Sequence, residues 1–406
     1  MSSMSLNRTC VPLRALALAL ALALSLVAAV ALAADPDEHR PCPELITSKG
    51  YPLETHNVTT ADGYILTCFR IPASRTGAKP TRGPVILAHG VMDSSNTWVM
   101  NNAEESLAFI LADASFDVWL MNVRGNLYGL QNTHLSTNDA EFWDFTWDDM
   151  ANYDVPAVVS YVLNSTNATK VGYVGHSQGT TQAMAALSLL HPELADKLSV
   201  FIALCPVAHI GHTTSLLLKG LAELHADQLV SLLGLKEFIP DTATLHKLLP
   251  AICIPVPSLC EDGIFLIAGF DQADYNVTRQ PVYMAHFPSS TSTKNMIHWA
   301  QDVRTDKFQR YDYGTAAANR QHYGTDTPPQ YNVTNIRAPM VVFAGGHDAL
   351  ADPTDVAQLM KELPANVPYV SVEAYGHLDF VWGEHANTTV YQQVIQYLLS
   401  PPRTSV

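Results

Sequence analysis

The chain has 406 residues, of which 48% are hydrophobic and 15% are charged. This composition supplies enough apolar surface for a large buried core and excludes a disordered chain. Lys and Arg total 23 against 38 Asp and Glu, which gives a formal net charge of −15. A surface this acidic repels phosphate backbones, so nucleic-acid binding is not expected.

The first 34 residues have the layout of a secretory signal peptide. Arg8 and Arg14 precede an apolar run that begins at Ala15 and ends in small residues at Ala34. The chain turns polar at Asp35, so the pattern predicts cleavage after an A-x-A site. The apolar run is about 20 residues long, which is near the length that spans a bilayer, and an uncleaved signal anchor is the alternative.

Sequons in the remaining chain also indicate export. Six N-x-[ST] sequons without a central proline begin at Asn57, Asn164, Asn167, Asn276, Asn332 and Asn387. Each is a predicted site of N-linked glycosylation, with an unused sequon as the alternative at every position. The expected location is the secretory pathway, with secretion and a lysosomal or vacuolar lumen both left open.

Five cysteines follow the signal segment, so they cannot all pair within one chain. Cys253 and Cys260 lie in a Pro-rich stretch and are close enough to close a small loop, and we predict a disulfide between them. Cys205 lies in an apolar strand pattern and is expected to be a buried free thiol. The pairing of Cys42 and Cys68 is left open.

Short apolar runs alternate with helical patterns along the chain. Leu53–Thr59 and Tyr64–Ile71 flank an Ala-Asp-Gly turn and predict an antiparallel hairpin. Further strands rich in Val, Ile, Leu or aromatic residues are predicted at Val85–His89, Asp117–Asn122, Val171–His176, Val200–Cys205, Met340–Gly345 and Tyr369–Ala374. Helices are predicted at Glu104–Ala114, Asp148–Leu163, Thr180–Leu190 and Val390–Leu399. This order predicts an α/β fold with a mostly parallel central sheet flanked by helices.

A long insertion interrupts this alternation. Strand patterns end at Cys205 and resume at Met340, and the sequence between them is helical, with Leu-rich and Pro-rich parts. We predict core segments over residues 35–205 and 332–406 and a cap or lid over residues 206–331. The insertion carries more apolar surface than a small appendage can easily bury. It is either a helical subdomain with its own core or a lid whose inner face meets lipid.

The stretch Gly175-His176-Ser177-Gln178-Gly179 fits the G-x-S-x-G pattern of a nucleophile elbow. The pattern alone is weak, but here it follows a predicted strand and opens a predicted helix. Glycines on both sides allow a tight strand-to-helix turn that keeps a serine hydroxyl exposed. We therefore predict Ser177 as the nucleophile, with a Gly-rich structural turn as the alternative.

A serine nucleophile needs a base, and the base needs an orienting acid. In α/β-hydrolases the acid and then the base follow the serine along the chain, on loops after later strands. Asp348 and His377 each lie just beyond a predicted strand, where an open α/β sheet forms its site. We predict Asp348 as the acid that orients the base and His377 as the general base.

Neighbouring residues offer alternatives to both assignments. Asp352 and Asp355 follow the predicted acid closely and resemble N-terminal caps of a helix. His385 lies farther downstream than His377. Asp352 and His385 are the second choices for acid and base.

An oxyanion hole needs two backbone N–H donors near the nucleophile. Gln178 directly follows Ser177 and supplies one. The other is expected from Val91, in the loop after the strand that ends at His89, because Gly90 allows close approach. The alternative is that His89 and Gly90 merely end a strand.

Motifs for metals and cofactors are absent from the sequence. The 16 histidines are scattered, and no H-E-x-x-H, paired C-x-x-C, Walker or dinucleotide-binding glycine pattern occurs. No metal and no cofactor are therefore expected.

Longer stretches extend these motifs over nearly the whole chain after the signal segment. They are GYPLETHNVTTADGYIL from Gly50, HGVMDSS from His89, ESLAFILAD from Glu105, FDVWLMNVRGN from Phe116, FWDFTWDDMANYDVPA from Phe142, GHSQG, TKNMIHW from Thr293, YDYG from Tyr311, GGHDALADPTDV from Gly345 and HLDFVWG from His377. Together, and in this order, they resemble the acid lipase family, which includes gastric and lysosomal acid lipases and plant relatives. The family usually has Leu-Leu where this chain has Val91-Met92, a change that a backbone donor tolerates.

The resemblance implies an α/β-hydrolase fold with a helical cap and hydrolysis of neutral lipid esters, such as triacylglycerols or sterol esters, often at acidic pH. It assigns the nucleophile, acid and base to Ser177, Asp348 and His377, and the oxyanion donors to Val91 and Gln178. It further implies a monomeric enzyme that meets lipid through its cap at a lipid–water interface. The cap is the stretch least similar to the family, so acyl preference stays open.

Two other functions remain as alternatives. One is an esterase of smaller, soluble esters. The other is a catalytically inactive hydrolase-fold module that only binds, although such chains generally lack one triad member and this chain has all three.

Overall fold

The computed structural model describes residues 35–223, 234–240, 242–253, 264, 268 and 274–403. The predicted signal segment, residues 1–34, lies outside these ranges. Within them, no helix combines the length and the apolar character that crossing a bilayer requires.

The strands in chain order are β1 Glu54–Thr59, β2 Tyr64–Ile71, β3 Pro84–Ala88, β4 Asp117–Met121, β5 Gln131–Asn132, β6 Val171–His176, β7 Leu198–Leu204, β8 Glu237–Phe238, β9 Thr291–Ser292, β10 Met340–Gly345 and β11 Tyr369–Val372. The α-helices are α1 Cys42–Ser48, α2 Leu107–Asp113, α3 Trp147–Asp149, α4 Val155–Thr166, α5 Gln178–Ala185, α6 Leu216–Glu223, α7 Thr242–Cys253, α8 Gln280–His286, α9 Thr293–Thr305, α10 Ala316–Tyr323, α11 Pro353–Glu362, α12 Asp379–Trp382 and α13 Gln392–Leu399.

One large sheet organises the described residues. Its strand order is β1-β2-β4-β3-β6-β7-β10-β11, with β5 added beside β2. Strands β1 and β2 form the predicted antiparallel hairpin, and β2 also pairs antiparallel with β4. From β4 to β11 every neighbouring pair is parallel. The predicted fold, a mostly parallel sheet flanked by helices, is confirmed.

The central strands are apolar because both of their faces are covered. Every residue of β3, β4, β6 and β10 is buried, whereas the edge strands β1 and β11 include exposed positions. This is the burial expected of a parallel sheet with helices on both sides. The carboxyl ends of β3, β6, β10 and β11 consequently share one edge of the sheet.

The helix predicted over Asp148–Leu163 is divided by a π-helical turn that ends shortly before Pro156. A π-helical turn at Met150–Asp154 separates α3 from α4. Pro156 has no N–H to donate to the carbonyl four residues earlier, and the ring of His191 donates to that Asn152 carbonyl instead. Similar π-helical turns, Ala186–Leu190 and Asn387–Tyr391, lie at the end of α5 and before α13.

Other predicted boundaries differ by a few residues. The helix expected from Glu104 begins at Leu107, after Ser106 as its N-cap residue. The strand expected to begin at Val200 begins at Leu198 and ends at Leu204. Such shifts are usual, since pattern reasoning locates an element better than its ends.

The structure describes four of the five cysteines that follow the predicted signal segment. Cys253 is disulfide-bonded, and Cys42, Cys68 and Cys205 are buried free thiols. Cys260 lies outside the described residues, so its pairing with Cys253 stays a prediction.

Five of the sequon asparagines are exposed or half-buried, but Asn276 is buried and donates through Nδ2 to Glu105. Asn276 is thus the least accessible of the six, and glycosylation at all six stays a prediction.

Candidate active site

Ser177 lies in a strained turn between β6 and α5. Its backbone has φ 54° and ψ −123°, in the left-handed half of conformational space that non-glycine residues rarely adopt. The turn is held by Ser177 N–H, which donates to the Leu204 carbonyl at 3.1 Å, and by Thr180 N–H, which donates to the Ser177 carbonyl at 2.8 Å. This is the geometry of the predicted nucleophile elbow.

The two glycines of the elbow are required by close backbone contacts. A Cβ on Gly175 would lie 2.9 Å from the carbonyl carbon of Gly179, and a Cβ on Gly179 would lie 2.5 Å from the carbonyl oxygen of Ala88. Only glycine allows α5 to approach β3 this closely. The approach brings the start of the helix beside the loop that follows β3.

Asp348 and His377 form a buried pair on the loops after β10 and β11. Asp348 Oδ2 lies 2.8 Å from His377 Nδ1, and the two residues are 2% and 3% exposed. Asp348 Oδ1 also accepts from the N–H groups of Leu350 and Ala351, each at 2.8 Å. Burial raises the pKa of Asp348, but the charge and hydrogen bonds of His377 and these N–H groups outweigh it, so the pKa lies below its usual value. Asp348 is therefore an ionised acceptor that fixes a proton on Nδ1.

The other ring nitrogen of His377, Nε2, is available to accept a proton. Its Nε2 is buried and has no hydrogen-bond partner in the described part of the chain. His377 and Ser177 line the same cavity, although no hydrogen bond joins them. Nucleophile–base contacts are often open in unliganded sites and tighten around substrate.

The alternative acid and base lie in other contacts. Asp352 is the N-cap of α11 and accepts from Thr354 N–H at 2.8 Å, as predicted. Asp355, also expected to be a cap, instead accepts from the backbone and ring of His212. The side chain of His385 is 70% exposed and pairs with Asp274. The structure thus brings together Asp348 and His377.

The loop after β3 passes directly against Ser177. A Cβ on Gly90 would lie 3.1 Å from Ser177 Cβ and 3.5 Å from its Oγ. The next residues are Val91, which is partly buried, and Met92, which has a positive φ of 53°. In the described residues, neither Val91 N–H nor Gln178 N–H donates to any acceptor. Two free donors beside a serine match the predicted oxyanion hole.

Two histidines support these loops in ways the sequence did not indicate. His89 Nε2 accepts from Asn126, so its Nδ1–H donates to the Gly90 carbonyl at 2.8 Å. His176 Nε2 lies 2.9 Å from the His377 carbonyl and donates to it. Burial lowers the pKa of His89 to about 4 and that of His176 to about 3, so both rings are neutral. The only sequence signal for these roles is their position beside the two motif glycines.

The cavity in front of Ser177 is apolar. Its volume is about 30 Å³, well below the volume of small-ligand pockets. Its apolar lining comes from Val91, Met92, Leu350 and Leu378, together with Ile264, Ala268 and Phe287 from the insertion. Asp93, in the loop after β3, also lines it and is 4% exposed. An acyl chain is the kind of group that such a wall accepts.

Two side-chain groups within the described residues bring metal-ligating atoms together. His176, Cys205 and His377 form one, and His212, Asp306 and Asp355 form the other. In the first, one ring nitrogen of each histidine serves a contact described above, and the other, His377 Nε2 or His176 Nδ1, has no hydrogen-bond partner among the described residues. In the second, His212 Nδ1 lies 2.6 Å from Asp355 Oδ1 as an imidazole–carboxylate pair. We assign no metal to either group.

The chain is similar to known proteins in sequence and in fold. A family model for the α/β-hydrolase fold matches residues 83–384, and one for a partial α/β-hydrolase lipase region matches residues 42–102. The chain is 42% identical over 373 residues to lysosomal acid lipase/cholesteryl ester hydrolase of Homo sapiens, covering 90% of this chain and 92% of that protein. It is 41% identical over 362 residues to human gastric triacylglycerol lipase, covering 87% and 90%.

A solved structure shares the fold. A soluble variant of monoglyceride lipase from Saccharomyces cerevisiae, in complex with a substrate analogue, matches with a TM-score of 0.55 and 14% identity over 90% of this chain and 99% of that one. At this identity the likeness supports the fold alone. From the family match and the extended similarity to the two human lipases, the chain belongs to the acid lipase family of α/β-hydrolases and is a carboxylic-ester hydrolase.

Proposed function

We propose that this enzyme hydrolyses neutral lipid esters, triacylglycerols or sterol esters, through an acyl-enzyme on Ser177. The observation that carries the proposal is one apolar cavity lined by Ser177 and His377, the partner of Asp348, beside two backbone N–H groups that have no acceptor within the described part of the chain. The two human relatives, a cholesteryl ester hydrolase and a triacylglycerol lipase by name, support this substrate class.

The proposed mechanism assigns one task to each group. His377 Nε2 takes the proton from Ser177 Oγ as this oxygen attacks the ester carbonyl, and Asp348 stabilises the imidazolium that forms. The N–H groups of Val91 and Gln178 bind the negative oxygen of the tetrahedral intermediate. His377 then protonates the departing alcohol. A water molecule, activated by the same imidazole, releases the fatty acid.

The insertion, residues 206–331, is proposed to act as the cap that meets lipid. Ile264 and Ala268 lie on the wall of the cavity and are 6% and 3% exposed, so part of the insertion covers the site. Elsewhere on the insertion, Leu216, Leu235 and Leu248 are 62%, 51% and 54% exposed. Large exposed apolar side chains are costly in water and favourable against hydrocarbon. A lipid surface would therefore favour whichever cap arrangement presents them.

Hydrolysis rates on two substrates test this proposal. A long-chain ester is titrated from dissolved monomer through its solubility limit into emulsion, and a short dissolved ester serves as reference. We expect the rate on the long ester to rise above the solubility limit, and Ser177→Ala to lower kcat by on the order of 10⁶ on both substrates. Substantial hydrolysis by Ser177→Ala would refute the nucleophile, and a binding-only module predicts no hydrolysis by the wild type.

Exposed leucines provide a matched pair of variants for the cap. Leu216→Asp lies on the insertion, whereas Leu399→Asp changes a leucine that is 48% exposed at the end of α13. Leu216→Asp should weaken the rise in emulsion and leave the short ester unaffected, and Leu399→Asp should change neither. Equal activity on dissolved and emulsified substrate in the wild type would instead favour an esterase of small soluble esters.

We also propose that the chain enters the secretory pathway, in keeping with its relatives. The supporting features are the signal-like segment 1–34 and the five sequons at accessible positions. Expression in a eukaryotic cell, followed by N-terminal sequencing and glycosidase treatment, tests this. We expect a mature chain that begins near Asp35 and whose mobility in gel electrophoresis increases after glycosidase treatment. A chain that keeps its original N-terminus would favour the signal anchor.

A further inference from the structure

The side chain of Gln178 is bound by two donors from one helix. Its amide oxygen accepts from Asn295 Nδ2 and from Trp299 Nε1, each at 2.9 Å. Gln178, Asn295 and Trp299 are 1%, 0% and 4% exposed. The two donors lie four residues apart on α9, so they project from the same face and converge on one oxygen. A carbonyl oxygen has two acceptor sites, and both are filled.

We propose that Asn295 and Trp299 are positioning residues that hold the backbone N–H of Gln178 in the oxyanion hole. This inference rests on the proposed function, because it concerns the same reaction. Gln178 directly follows the strained Ser177, where the chain could relax by rotating the intervening peptide group. Anchoring the Gln178 side chain at two points opposes that rotation, and its N–H stays free for the substrate oxygen.

The orientation of the Asn295 amide is determined by its surroundings. Its Oδ1 accepts from Trp147 N–H at 2.7 Å, so the other end of the amide must be the nitrogen that faces Gln178. That nitrogen also lies 3.2 Å from Thr291 Oγ1. The aspartate of an Asn295→Asp variant would direct a carboxylate oxygen at the Gln178 oxygen and replace an attraction with a repulsion.

The same chain segment supports the opposite side of the hole. Ser289 N–H donates to the Met92 carbonyl at 2.7 Å, directly after Val91. Ser289 Oγ also accepts from Leu127 N–H at 3.0 Å, which fixes Ser289 in turn. Met92 has a positive φ, and such a residue persists only where its surroundings hold it. Residues 289–299 therefore contact both loops from which the two donors come.

Trp299→Phe tests the proposal, because it removes the indole N–H and keeps most of the aromatic ring. Removing an oxyanion donor outright costs about 10² to 10³ in kcat, so losing half of its anchor should cost about 10-fold or more. KM for a short dissolved ester should stay within about twofold, since the interaction acts in the transition state. The inhibition constant of an alkylboronic acid, which adds to Ser177 and places an oxygen in the hole, should rise with the fall in kcat.

Trp143→Phe is the matched control. Trp143 is also 4% exposed, and its indole N–H donates to the backbone carbonyl of Thr137 at 2.9 Å. The two variants lose equivalent hydrogen bonds, and only Trp299→Phe should lower kcat. If both lower the Tm but neither changes kcat or boronate affinity, the positioning role is refuted.

Variants of Gln178 itself keep the test decisive if Trp299→Phe folds poorly. Gln178→Met keeps the length of the side chain but lacks the amide oxygen that accepts from both donors, so it should reproduce the loss of kcat. In the Gln178→Met background, Trp299→Phe should have little further effect on kcat. Additive losses would overturn the inference. Hydrolysis by Ser177→Ala would instead show that the proposed function has failed.

Discussion

Asp93 gives the cavity of this lipase a carboxyl group whose charge changes near neutral pH. It lies in the loop after β3, lines the cavity with Ser177 and is 4% exposed. Burial raises its pKa from 3.8 to about 7, although Ser94 N–H and the Thr97 hydroxyl favour the charged form. In the described residues it forms no ion pair. We predict that Asp93→Asn removes a pH-dependent penalty on both stability and activity.

The size and sign of the stability effect follow from this pKa. Below about pH 4 the carboxyl is neutral in folded and unfolded chains alike. Between about pH 4 and pH 7 the unfolded chain loses this proton and the folded chain retains it, so the free energy of unfolding falls as pH rises. A pKa of about 7 in place of 3.8 corresponds to on the order of 4 kcal/mol, which is the full penalty at neutral pH.

Urea unfolding of wild type and Asp93→Asn over a pH series measures the effect. Asparagine keeps an oxygen that can accept from Ser94 N–H, so the variant should match the wild type at about pH 4 and exceed it increasingly up to about pH 7. Asp196→Asn, at an exposed carboxyl, controls for the loss of one negative charge. A stability difference that is the same at acidic and neutral pH would refute the reasoning.

Activity should respond in the same direction. An ionised carboxylate in an apolar wall disfavours an acyl chain, so KM of the wild type for a long-chain ester should rise as pH approaches and passes about 7. The Asp93→Asn variant should show a smaller rise, measured relative to a short ester over the same range. Parallel pH profiles for the two enzymes would show that Asp93 does not control substrate binding.

Three further predictions concern the scaffold. Gly179→Ala places a Cβ 2.5 Å from a carbonyl oxygen and should lower the free energy of unfolding, measured with denaturant, by about 3 kcal/mol or more. Gly220→Ala in α6 is the control, because its Cβ would meet nothing within 4 Å, and it should leave the free energy of unfolding unchanged or raise it. Peptide mapping of non-reduced protein should link Cys253 to Cys260, and alkylation of Cys260 as a free thiol would contradict this. The carboxylate of Asp274 raises the pKa of the exposed His385, so the protonated ring stabilises the folded chain at acidic pH. His385→Gln should therefore lower the Tm at about pH 5 and not at about pH 9. An equal fall in Tm at both pH values would exclude an ionic contribution.

Local sequence was sufficient to predict the central strands of the sheet and the nucleophile elbow. A buried parallel strand reads as an apolar run, so the central strands could be located to within a few residues. The elbow could be recognised from its own residues, because Gly175 and Gly179 permit the close backbone contacts around a Ser177 that has a positive φ. Asp348 and His377 could be proposed because each follows a recognisable strand, but sequence alone left Asp352 and His385 as alternatives.

Only the tertiary structure decided which side chains meet. His176 supports the loop of His377 across 201 residues of chain, and Asn295 and Trp299 bind Gln178 across 117 and 121 residues. The TKNMIHW stretch that contains both donors was assigned to the insertion, with no role in the site. Periodicity reports which face of an element is buried and not which polar partner it meets there. Hydrogen bonds between distant segments depend on how the sheet and helices pack, and that packing brings α9 against the start of α5.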